Sequence, residues 1–167
     1  MIYLIWSIIN LAVLFFFFYL ITGFIRKGKS FFNPQLKVVS ILVMVVGIFQ
    51  LLSATGLEEN SNQIEITQDY DNNNPSKIEE LVLEDHLTFD INLLVKYSID
   101  QNDFIPTESN SFLTGFISGY EWEYTLIQTN SYTSNQKAEF EAKGILKWKL
   151  FGVNLYNETK TFSGTLN

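Results

Sequence analysis

The chain has 167 residues, 11 basic, 18 acidic, one histidine and no cysteine, a length that suits one small domain or a membrane segment plus one domain. The lack of cysteine excludes a disulfide scaffold, a thiolate metal site and a cysteine nucleophile. The acidic excess argues against nucleic acid, whose phosphates need a basic patch.

The charges are unevenly placed. Residues 1–56 carry Arg26, Lys27, Lys29 and Lys37 and no acid, whereas residues 57–167 carry 18 acids against seven bases, a net of −11. Ile2 to Ile25 is an uncharged run of 24 residues. At ~1.5 Å per residue it rises roughly 36 Å as a helix, enough for the ~30 Å hydrocarbon core of a bilayer. Within it Leu14-Phe15-Phe16-Phe17-Phe18-Tyr19-Leu20 is apolar on every side, unlike an amphipathic helix of a soluble protein. The basic start, shorter apolar stretch and small-residue cleavage site of a signal peptide are missing, so the run reads as a retained helix.

Val38 to Leu57 is a second uncharged stretch, of 20 residues. Asn33 suits its N-cap, Pro34 its first turn and Gly56 its end. Only eight residues, 26–33, connect the two stretches, so the helices are expected as antiparallel neighbours. All four bases lie in or beside that connection, and positive charge stays cytoplasmic. The expectation is a two-span membrane hairpin over 1–57, with loop 26–33 cytoplasmic and both termini extracytoplasmic.

Polar residues inside the hairpin fall at matching depths: Ser7 with Ser53, Asn10 with Gln50, Thr22 with Ser40. Ser40, Gly47 and Ala54 also recur every seven residues, a small-residue stripe that permits close helix approach. Asn10 and Gln50 either bond each other or face a partner membrane protein. Ser7, Asn10, Ser40, Gly47, Gln50, Ser53 and Ala54 are therefore the candidate helix–helix or partner contacts. No ionisable group stands at depth in either span, which disfavours an ion path.

Residues 58–77 read as an acidic, Asn-rich linker with a short strand near Gln63–Thr67. Asp69-x-Asp71-x-Asn73, with Glu80 at the twelfth position, resembles the start of an EF-hand-like calcium loop. It departs from that pattern with Asn74 at the glycine position, Pro75 after it, Ser76 in place of an apolar residue and no incoming helix. A solvated linker is the preferred reading, and calcium is the one cofactor the sequence suggests.

Ser76-Lys77-Ile78-Glu79 fits a capping box and predicts a short helix to about Asp85, with a strand as the alternative because Leu81-Val82-Leu83 is continuous. From Leu87 to Ile99, Leu87, Phe89, Ile91, Leu93, Val95, Tyr97 and Ile99 alternate with mostly polar residues, the pattern of a half-buried strand. Tyr120, Trp122, Tyr124 and Leu126 repeat it. So do Ala138, Phe140, Ala142, Leu146, Trp148 and Leu150, with Gly144 as a bulge or bend. Leu155–Leu166 alternates weakly, and 100–111 and 132–135 read as loops. Short turns between strands favour an antiparallel β-rich domain over 78–167, either a meander or a sandwich.

The chemistry-bearing residues have ordinary readings. Glu121 and Glu123, and Glu139 and Glu141, are carboxylates two apart, a spacing that acid–base pairs use. If the strands around 132–135 pair, these glutamates share an outer face with Lys143, Lys147 and Lys149 as cross-strand charge pairs. His86 is a single histidine and builds neither a His–His metal site nor a convincing triad with Asp85. Phe112–Gly119 is apolar and flexible, a partner-binding lip, a bilayer-touching strip or the run into the next strand. The expected protein is non-enzymatic: an accessory, assembly or interaction component of a membrane complex, with the lipid bilayer and another membrane protein as partners. The alternative is an extracytoplasmic binding domain whose aromatic face (Trp122, Tyr124, Phe140, Trp148) holds a small apolar or glycan ligand.

Overall fold

The computed structural model describes residues 1–31, 37–53, 62–67, 74–133, 136–150 and 152–166, without the side chains of 29–30 and 49–53. Helix α1 (Ile2–Lys27) buries only Ser7, Asn10, Phe17 and Leu20. Its other large side chains, among them Ile5, Ile8, Phe15, Phe16 and Phe18, are exposed around the helix. With 26 residues and a mean hydropathy of 2.4, α1 is long and apolar enough to cross a membrane, and among the described residues it alone is. Arg26 and Lys27 in its last turn complement the helix dipole. A short 3₁₀ turn, Gly28–Phe31, leads on toward α2 (Lys37–Ser53), whose described length is 17 residues. The α2 helix lies along α1, with Gly47 so close that a Cβ there would strike the Phe17 ring.

The remainder is strand: β1 (Gln63–Glu65), β2 (Ser76–Asp85), β3 (Phe89–Asp100), β4 (Asp103–Gly115), β5 (Tyr120–Thr129), β6 (Tyr132–Thr133), β7 (Ala138–Leu150) and β8 (Val153–Leu166). One sheet runs β1-β4-β3-β2 with β6 also on β4, the other β5-β7-β8. Every pairing is antiparallel. The two sheets share one core and form a sandwich. On one side β3 supplies Phe89, Ile91, Leu93, Val95 and Tyr97, none more than 1% exposed; opposite them lie Trp122, Tyr124, Phe140, Ala142 and Leu146. Polar handles tie the layers: the Trp122 indole donates to Ser111 Oγ at 2.9 Å, and Tyr124 Oη and Ser109 Oγ share a bond at 2.9 Å.

Three sequence expectations are corrected here. The short helix over 76–85 is strand β2, paired with β3 from Ser76↔Ser98 to Asp85↔Asp90. Sheet pairing overrides a local capping signal, and Glu79, the apparent capping-box acid, instead turns inward, accepting the Tyr132 hydroxyl at 2.9 Å and pairing with Lys77 at 2.6 Å. The loop expected over 100–111 is largely β4, because its inward positions are Thr107, Ser109 and Ser111, buried hydroxyls in place of hydrophobics. Leu87 is not a core position. The Thr88 turn is closed by the His86 N–H on Phe89 O, and Leu87 at its apex is 86% exposed.

The other strands keep their alternation except at the end of β5, where the register shift turns Ile127 into the core in place of the expected Leu126. β5 and β7 pair from Tyr120↔Trp148 to Thr129↔Phe140, and the register shift falls between Tyr124 and Leu126 on β5. Gly144, opposite Tyr124, keeps the β7 alternation and admits the Trp122 ring, which any Cβ there would strike. On the outer face Lys147 bridges Glu121 (3.0 Å) and Glu123 (2.9 Å), Lys149 also reaches Glu121, and Lys143 pairs with Glu141 at 2.6 Å. The stretch before β2 joins the sandwich as well: β1 pairs with β4, and Asn62 donates to Trp122 O (2.9 Å) and accepts the Tyr124 N–H (3.1 Å).

Candidate functional site at the helix–sandwich junction

The ends of β2, β4 and β7 and the starts of β3, β5 and β8 lie together at one end of the sandwich. The first turns of α1 are built into that end. The Tyr3 ring sits 4.2 Å from the His86 ring, 5.2 Å from Trp148 and 5.5 Å, edge-on, from Phe89. Its carbonyl accepts the Tyr120 hydroxyl at 2.8 Å. Burial pushes the Tyr120 hydroxyl up to about 12, so it stays a protonated donor, with the Ser7 hydroxyl beside it. One turn on, the Trp6 indole donates to Gly119 O at 3.1 Å, and the Asn10 amide donates to Trp6 O at 3.1 Å. Gly119 has φ 89°, and a Cβ there would strike the Asn10 amide. Glycine is required by both conformation and space.

A charge cluster crosses this junction. Lys160 on β8, its side chain 10% exposed, reaches Glu84 of β2 (2.7 Å), Glu158 of β8 (3.2 Å) and the Tyr3 hydroxyl (2.9 Å). The Tyr3 hydroxyl in turn donates to Glu158 at 2.9 Å, the Trp148 indole to Glu158 at 3.2 Å, and His86 Nε2 stands 2.8 Å from Glu84. Burial alone would lower the Lys160 pKa, but Glu84, Tyr3 and Glu158 outweigh it and raise the value above that of an ordinary lysine. Burial would raise that of Glu158, but the Tyr3 hydroxyl and Lys160 hold it below the usual carboxylate range. One ammonium thus ties together both sheets and α1.

Beside the cluster lies an apolar cavity of about 700 Å³. Ile2, Ile5, Trp6 and Ile9 of α1 form one wall, Trp148, Leu155 and Tyr156 the other, with Tyr3 and Glu158 as its polar edge. Of the aromatic face expected to hold a ligand, Trp122, Tyr124 and Phe140 are core, while Trp148 is 9% exposed and lines this cavity.

The other predicted site residues fall as follows. Ser7 and Asn10 are buried at the junction; Ser40 is buried on α2 and Gly47 faces Phe17. The side chains of Gln50 and Ser53, and all of Ala54, lie outside the described residues, as do Asp69, Asp71 and Asn73. Glu80 is exposed on β2, opposite Leu94. Among the described residues no three His, Asp or Glu side chains gather as a metal site. Sequence reasoning missed Tyr3, Trp6, Glu84, Glu158 and Lys160. The available signals were Tyr and Trp near the end of an apolar run, where amphipathic rings favour an interface, and Glu158-x-Lys160 on one face of a strand.

Fold and junction together define a class, an apolar N-terminal helix pinned into the end of an antiparallel β-sandwich. No family model matches the chain, and no curated protein matches it. Among solved structures it is similar to a two-domain protein of unknown function from Bacteroides thetaiotaomicron VPI-5482, with TM-score 0.42 and 18% identity over 55% of this chain and 47% of that one. The chain thus spans about half the length of that protein.

Proposed function

We propose that the chain is a non-enzymatic integral membrane protein whose two helices cross the bilayer and hold an acidic β-sandwich on the extracytoplasmic face, as an accessory, assembly or interaction component of a membrane complex. The observation that carries this reading is the docking of Tyr3 and Trp6 into the sandwich. Such docking supports a start of α1 on the sandwich's side of any membrane that α1 crosses. In this reading the chain returns across that membrane before β1 through α2, the apolar helix between them. Its 17 residues rise roughly 26 Å, a few Å short of the ~30 Å core, a mismatch that local bilayer thinning accommodates. The bases of loop 26–33 at the opposite end favour the cytoplasm. A helix whose ring and carbonyl complete the sandwich reads better as retained than as a cleaved leader. The junction's ionisable groups are taken up with one another, which supports a structural clasp over acid–base catalysis.

Single cysteines test this directly, because the chain has none of its own. With Ser131→Cys, at an exposed loop position, an impermeant thiol reagent should label intact cells. With Ser30→Cys it should label only after permeabilisation. The opposite pattern overturns the topology and the localisation with it. A second reading, an extracytoplasmic binder of a small apolar or glycan ligand, is favoured by the 700 Å³ cavity, which falls within the ~300–1,000 Å³ usual for ligand sites.

A further inference from the structure

We infer that the α1 end of the sandwich rests in the lipid leaflet on its own side, and that the cavity between α1 and β8 takes an acyl chain of a membrane phospholipid. This rests on the membrane-spanning reading of α1. Among the described residues of the sandwich, eight large hydrophobics are exposed: Ile78, Val82, Leu87, Phe116, Ile117, Val153, Leu155 and Tyr156. The first two lie on edge strand β2. The other six come from three segments far apart in sequence, all of which lie at the end where α1 enters. Single exposed hydrophobics need no explanation, but a contiguous patch marks a surface that something apolar covers.

Continuity identifies the cover. Ile2, Ile5 and Ile9 wall the cavity, and further along the same helix Phe15, Phe16 and Phe18 are exposed in what this reading makes the hydrocarbon. The cavity therefore opens beside the path by which α1 enters lipid. Its polar edge offers no free charge, because Glu158 is already held by Lys160, Tyr3 and Trp148. A hydrocarbon chain fits that lining, whereas an ionic headgroup would find no counter-charge.

The test uses the full chain in phosphatidylcholine vesicles with brominated acyl chains, which quench tryptophans that they touch. Trp122 is core, Trp6 is on α1 and Trp148 lines the cavity. Trp6→Phe should still emit less in brominated than in ordinary lipid, and adding Trp148→Phe should abolish the difference. Because Trp6 bonds Gly119 and its loss could disturb the fold, Phe116→Trp in the otherwise unaltered chain gives an independent readout. It should add a further quenched emitter. Equal emission of the Trp6→Phe protein in both lipids, with no added quenching from Phe116→Trp, overturns the inference; a partner helix in the groove would give that result. Release of the protein from vesicles by alkaline carbonate would instead overturn the membrane reading itself.

Discussion

At the scale of single residues, position relative to the core decides what a side chain is worth. Trp148 packs against Tyr3, Trp6, Tyr120 and Tyr156 and donates to Glu158. Trp148→Ala should cost about 3–5 kcal/mol in chemical denaturation. Glu121→Gln with Glu123→Gln, on a solvated face, should cost only ~0–1 kcal/mol. The reverse ranking would exchange core and surface. The clasp also sets a pH window. Glu158 titrates below its ordinary value of 4.5, so its contribution is present above that pH and is lost as pH falls through the depressed folded value. Lys160 titrates above 10.5, so its contribution is present below that pH and is lost as pH rises through the raised value. Melting temperature against pH should therefore hold a plateau between these limits, and Glu158→Gln should flatten the acid limb. An acid limb unchanged by Glu158→Gln would remove that carboxylate from the account.

At the scale of elements, Gly119 tests whether helix and sandwich are one unit. Gly119→Ala meets both a positive φ and the Asn10 amide, so it should cost more than about 1 kcal/mol. Asn10→Ala should recover the steric part but not the conformational part, and a double-mutant cycle on thermal unfolding separates the two. Strict additivity would place Asn10 away from Gly119. The elements differ in how far they can be read without coordinates. β3, β5 and β7 are legible because large apolar residues alternate with polar ones at period two. β4 is hidden because its buried positions are Pro106, Thr107, Ser109 and Ser111, and the three hydroxyls bond to the carbonyls of Lys96, Leu94 and Asn92 on β3. Such positions look like loop until the partner strand is known. β2 carries a helix-start signal that loses to pairing with β3. The outer charge pairs are readable from strand register, but the junction cluster is not. Tyr3, Glu84 and Lys160 come from three distant segments, and only the fold brings them together.

At the scale of the whole molecule, the sandwich is closed at one end by α1 and latched near its middle by the stretch before β2. These two supports can be removed separately. Residues 62–167 keep Asn62, whose side chain bonds Trp122 O and the Tyr124 N–H and whose carbonyl accepts the Ser111 N–H. They also keep Ile64 and Ile66 against the core. Residues 74–167 lose all of these. Two side-chain hydrogen bonds at about 1 kcal/mol each correspond to a melting temperature lower by roughly 8–16 °C in a domain of this size. Both fragments should give an antiparallel β spectrum by circular dichroism, with the shorter melting lower by at least that margin, since the β1 pairing and the burial of Ile64 and Ile66 are lost as well. Both should also expose the apolar end that Tyr3 and Trp6 cover, so each should bind a hydrophobic dye that the full chain in lipid excludes. Equal melting of the two fragments would show that Asn62 and β1 are passengers. A fragment that fails to fold at all would show that α1 is part of the domain rather than its anchor, and the helix and the sandwich would then have to be treated as one cooperative unit.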